Sequence, residues 1–147
     1  MFPAELEQDA FRFRGEFGWT REQAIAAIGI LRHHHLAILG GELWYVRDGA
    51  VQPSVPQREG PNALYVWSTD KQTGGIWVNF VQRGASEALS AVQRYPEPED
   101  IPDDLPGRIL YNLTWVSEAE FEKLGRKPQE SLGETYRWWK FWKRSGN

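Results

Sequence analysis

The chain has no cysteine, a single methionine, and only three histidines, which are contiguous. Without thiols there can be no disulfides, no thiolate metal sites and no cysteine nucleophile, and such a composition fits a reducing compartment. No apolar run reaches the roughly 18 residues that a membrane-spanning helix needs. The start, Met1-Phe-Pro-Ala-Glu-Leu-Glu-Gln-Asp9, is acidic where a secretory signal opens basic and turns apolar, so a cytoplasmic protein is expected. A Gly-x-Ser-x-Gly element is missing as well: Gly84-Ala-Ser86 lacks the second glycine, which leaves Ser86 as an expected helix N-cap. Gly40-Gly41 has neither the lysine of a phosphate loop nor the third glycine of a dinucleotide fingerprint, and reads as a tight bend or close backbone packing. His33-His34-His35 cannot converge on one ion, because neighbours on a helix point about 100° apart. In a last helical turn they complement the helix dipole instead. No metal, cofactor or catalytic residue is therefore expected.

What is present suffices for a core. The 147 residues are 41% hydrophobic and 14% aromatic, with eight tryptophans, and suit one domain that folds by itself. The formal charge of −3 is unevenly distributed. Residues 97–104 hold five carboxylates, Glu97, Glu99, Asp100, Asp103 and Asp104, and no base. Residues 136–144 hold four bases, Arg137, Lys140, Lys143 and Arg144, interleaved with aromatics and with no acid. The acidic run sits among prolines and is a solvated loop by default; the basic run fits a segment docked on the core, a partner contact, or a nucleic-acid or membrane-surface contact.

Local patterns supply the elements. Residues 3–14 suit either a short helix opening at Pro3 or, at Phe11-Arg-Phe-Arg14, a strand. Thr20 and Gln23 form a capping box, with Trp19 ahead of them, for a helix that turns Ala24, Ile25, Ala27, Ile28 and Leu31 to one side. An apolar run at 36–39 and the two glycines precede a strand ending at Asp48-Gly49, a tight-turn pair that folds residues 43–47 against 50–52. Residues 53–61 are a proline loop, 63–68 a strand, 70–75 a turn and 76–82 a further strand closing a second hairpin. A helix over 86–94 follows, then prolines that bar regular structure, then the longest strand at 108–116. Ser117 and Glu120 form a second capping box for a short helix carrying Phe121 and Leu124 inward. The sum is one α+β domain over residues 1–147, a mostly antiparallel sheet of five or six strands with two or three helices on one face.

The helix opened by Trp19-Thr20, the segment Leu36-Ala-Ile-Leu-Gly-Gly-Glu-Leu-Trp-Tyr45, the strand with Trp67 and the unit at residues 76–95 together resemble the immunity protein 40 family, over a little more than half the chain. These are bacterial proteins found beside polymorphic toxins. The resemblance implies an α+β cytoplasmic protein that binds and neutralises a cognate toxin without catalysis; neither nucleic acid nor membrane is expected as partner. For such a role the carboxylates of 97–104 are the candidate surface, because toxins acting on nucleic acids present basic clefts. Glu42 and Trp67 join the candidate partner-binding residues, although Trp44 and Trp67, at alternating strand positions, fit the core better. Two other readings stand beside this one. Glu42, Tyr45 and the histidines could line a small-ligand or enzyme pocket, or residues 136–144 could bind nucleic acid or a membrane surface.

Overall fold

The computed structural model describes residues 3–69 and 75–123. Strands β1 (Phe11–Phe13) and β2 (Glu16–Trp19) form an opening hairpin and lead into helix α1 (Arg21–His33). Strand β3 (Ala37–Arg47) turns at Asp48-Gly49 into β4 (Ala50–Gln52), and both turn residues have positive φ, at 53° and 78°. Then follow β5 (Ser54–Val55), β6 (Ala63–Leu64), β7 (Val66–Ser68), helix α2 (Trp77–Arg94), strand β8 (Arg108–Val116) and helix α3 (Glu118–Lys123). The main sheet is six-stranded, in the order β1-β2-β8-β3-β4, with β7 also pairing β3; every pairing is antiparallel. β5, within the expected proline loop, pairs with β6 as a small second sheet, so the strand expected over 63–68 is divided at Tyr65 between that sheet and the main one.

The capping box at α1 forms as its spacing dictates: Thr20 Oγ1 accepts from the Gln23 amide, and the Gln23 side chain accepts from the Thr20 amide. Ala24, Ala27, Ile28 and Leu31 are buried, while Ile25, expected on the same face, is 36% exposed because it is turned about 100° from Ala24. The box at Ser117 and Glu120 also closes, and Phe121 is buried; Leu124 lies outside the described residues. At the start of the chain both local signals are used, as a 3₁₀ turn at Ala4–Leu6 and as β1.

Three expectations are corrected. Residues 76–82, expected as a strand, open the helix α2, so no hairpin joins them to β7. Their buried positions continue at helical spacing through Phe80, Val81, Gly84, Ala85, Ala88 and Val92, whereas Ile76 and Val78, which a half-buried strand would bury with Phe80, are 63% and 43% exposed. Ser86 is accordingly mid-helix and caps nothing. The longest strand is β3, with eleven residues against nine in β8, because Gly40-Gly41 do not interrupt it.

Those glycines are explained by what lies against them. A Cβ on Gly40 would collide with the Trp67 carbonyl oxygen, and one on Gly41 with the Trp67 indole and, at 2.6 Å, the Asn112 carbonyl oxygen. β7 can approach β3 only over a surface stripped of side chains. A bulge at Leu39 shifts the β3–β8 register between Ile38 and Gly40.

One face of the central pair presents Ile38, Leu43, Tyr45, Tyr111, Leu113 and Trp115 to the helices, where α1 adds Ala24, Ala27, Ile28 and Leu31 and α2 adds Ala85, Ala88 and Val92. Gly84 lets α2 descend onto the Ile38 carbonyl. At one end of the sheet Ala37, Leu39 and Val116 meet Phe80, Val81 and Phe121. On the reverse face Trp44, Val46 and Leu110 pack with Phe11, Phe13 and Val51.

Candidate functional site

The acidic segment connects α2 to β8, and its base is tied down at Tyr95. The Tyr95 carbonyl accepts from Tyr111 Oη at 2.6 Å and from Arg21 Nη2 at 2.8 Å, while Arg21 Nε donates to the Val92 carbonyl at 2.9 Å. Burial pushes the Tyr111 phenol up, and the nearby Arg21 guanidinium opposes that shift. At the far end the Gly107 amide donates to Tyr45 Oη at 3.1 Å. Between these anchors the chain makes one 3₁₀ turn, Pro98–Asp100.

The loop's shape is set by Arg58, which lies in the connection between β5 and β6. Its amide donates to the Asp100 carbonyl at 2.7 Å, its Nε to the Glu99 carbonyl at 3.0 Å, and its Nη2 to the Ile101 carbonyl at 2.8 Å and to Asp103 Oδ1 at 3.1 Å. One arginine thus binds three successive backbone carbonyls and one carboxylate. The charge-assisted bond to Arg58 holds the Asp103 carboxyl below the usual carboxylate range, and Asp103 raises Arg58 in return. Glu97, Glu99, Asp103 and Asp104 are exposed and Asp100 is half-buried. The Asp103 side chain is 92% exposed even in its ion pair, so the carboxylates face solvent from a defined backbone. Arg58 was missed from sequence. The only local signal was that it is the sole base between Pro53 and Pro61.

Glu42 and Trp67 do not join this surface. Glu42 is half-buried on the reverse face of the sheet, where Oε2 accepts from Trp44 Nε1 at 3.2 Å. Trp67 pairs with Gly41 and lays its indole over that glycine on the helical side, packed against the main core. Its indole nitrogen is buried and has no acceptor among the described residues. Trp44, 2% exposed, is core. A pocket of Glu42, Tyr45 and the histidines does not assemble: Glu42 and Tyr45 lie on opposite faces, and Tyr45 Oη is engaged at Gly107. The histidines occupy the end of α1, with His33 closing the helix, His34 capping it and His35 at φ 58°. Among the described residues no three acidic or histidine side chains are placed to hold a metal ion, and no helix is long and apolar enough to cross a membrane. The basic aromatic run 136–144 lies outside the described residues.

The family model described as Immunity protein 40 matches residues 6–105, about two thirds of the chain. The chain belongs to the immunity protein 40 family. The matched stretch contains the Arg58 clamp and the acidic loop through Asp104, and stops just before β8, the strand that joins β2 to β3. No curated protein and no solved structure matches the chain.

Proposed function

We propose that this member of the immunity protein 40 family works without catalysis, by binding a cognate toxin and blocking its active surface with the carboxylates of residues 97–104. The observation that carries the reading is the Arg58 clamp: it fixes an exposed acidic loop in one shape, so the loop can complement a partner without first being ordered. A toxin acting on a polyanion needs a basic cleft, and a fixed cluster of carboxylates both accelerates encounter with such a cleft and occupies it. The reading includes a bacterial, cytoplasmic setting, for which the absence of cysteine is a support.

The test is the association rate with the toxin encoded by the neighbouring reading frame, followed from low to high salt. The rate should fall by about tenfold or more between 50 and 500 mM salt, as expected of steered association. Replacing Glu97, Glu99, Asp100 and Asp104 by their amides should flatten that dependence while leaving the fold intact. A salt-independent rate, or unaltered binding by the amide variant, would remove the acidic loop from the interface.

A further inference from the structure

The sheet's edges are unequally guarded. β1 carries Arg12, and β4 is bounded by Gly49 and Pro53. β7 lies in the run Ala63-Leu-Tyr-Val-Trp-Ser-Thr69, which has no charge and no proline and is rich in strand formers. Leu64 and Val66 are 66% and 51% exposed. The Thr69 amide donates to the Leu39 carbonyl and the Leu43 amide to the Tyr65 carbonyl, so residues 65, 67 and 69 turn their backbone groups toward β3. By alternation, Val66 and Ser68 direct theirs away from it. Among the described residues β7 pairs with β3 alone. Proteins ordinarily blunt an edge of this kind with lysine, proline or a bulge, since it templates pairing with another chain.

This edge, unpaired on its outer side among the described residues, also adjoins the acidic loop. The Tyr65 ring packs at a tilt against Tyr95, 5.7 Å between centroids, one residue before the loop begins at Pro96, and Arg58 grips the loop from the segment that leads into β6. The carboxylates therefore adjoin this edge on its helical face, through Tyr65, while Val66, paired with Glu42, turns its exposed side chain to the reverse face, so that an added strand would meet both with alternate side chains.

From this arrangement we infer that β7 is a strand-addition site. Resting on the immunity reading, the inference is that the toxin contributes an extended segment that pairs with Val66 and Ser68, sets apolar side chains against Leu64 and Val66, and directs lysine or arginine toward residues 97–104. Charge complementarity selects that occupant, because an acidic segment would be repelled there.

Amide exchange of the full-length protein, free and bound to the purified toxin of the neighbouring reading frame, tests it. The Val66 and Ser68 amides should exchange rapidly in the free protein and at least a hundredfold more slowly in the complex, while those of Trp67 and Thr69 are slow in both. Val66→Pro removes an outward N–H together with the Val66 side chain and should weaken binding at least tenfold; Leu64→Lys, which leaves the backbone alone, serves if the proline variant does not fold. Weaker binding by the amide variant of the acidic loop, with Val66 and Ser68 still unprotected, would overturn strand addition and leave the immunity reading standing. Failure of the unaltered protein to bind the toxin would overturn both. Protection of these amides by a second copy of this chain, with none added by toxin, would also overturn the inference.

Discussion

At the scale of single residues, Arg58 and Asp103 carry the most testable chemistry. Arg58→Ala removes two side-chain bonds to backbone carbonyls together with the ion pair, and should raise amide exchange across residues 97–104 while barely moving the global unfolding midpoint, because the pair is exposed. Arg58→Lys keeps the charge but not the planar fork, and should restore only part of the protection. The pH dependence has a definite sign. Asp103 titrates lower in the folded protein than in the unfolded chain, so its contribution is fully present above the ordinary carboxylate range and is lost as pH falls through the depressed folded value. An NMR titration should show the Asp103 carboxyl titrating below a model aspartate, and Arg58→Ala should abolish the difference. The sequence revealed the five carboxylates but not their clamp. Capping boxes are legible because their partners lie three residues apart, whereas Arg58 and Asp103 are separated by 45 positions and no local spacing relates them.

Among the elements, α2 shows how two periodicities compete. Ile76, Val78 and Phe80 alternate as a strand would, and the alternation misleads because Ile76 and Val78 are exposed while burial recurs in steps of three and four residues from Phe80 and Val81, at Gly84, Ala85 and Ala88. The side chains should report this directly. Phe80→Ala should cost about 3–4 kcal/mol, while Val78→Ala should stay within about 0.5 kcal/mol in denaturant unfolding. Equal losses at the two positions would favour the strand. The Asp48-Gly49 hairpin was legible because turn chemistry is local, and α1 because its cap and its apolar face agree. The continuity of β3 through Gly40-Gly41 was not. Glycines that end a strand and glycines that admit a neighbour look alike until Trp67, which fills the space above them, is placed.

For the whole molecule, the sequence yielded the antiparallel α+β class, because hairpin signals and amphipathic helices recur along the chain, but the strand order came only from the structure. β8 is the strand on which the order depends: it pairs with β2 through Tyr111 and Asn112, and with β3 from Arg108 to Val116. β2 and β3 have no ladder with each other among the described residues, so breaking β8 divides the sheet. Leu113→Pro should therefore cost more than about 4 kcal/mol and abolish cooperative unfolding by circular dichroism. The same placement governs the order of events on the ribosome. Ala37 finds its partner only at Val116, so the centre of the sheet cannot close while the chain between them is still being made. At about 5–20 residues per second that interval lasts several seconds, during which a nascent chain with an unguarded apolar strand is exposed to mispairing. On the proposed immunity reading, the delay before a new molecule could meet a toxin would then be set by how late in the chain the central strand is encoded.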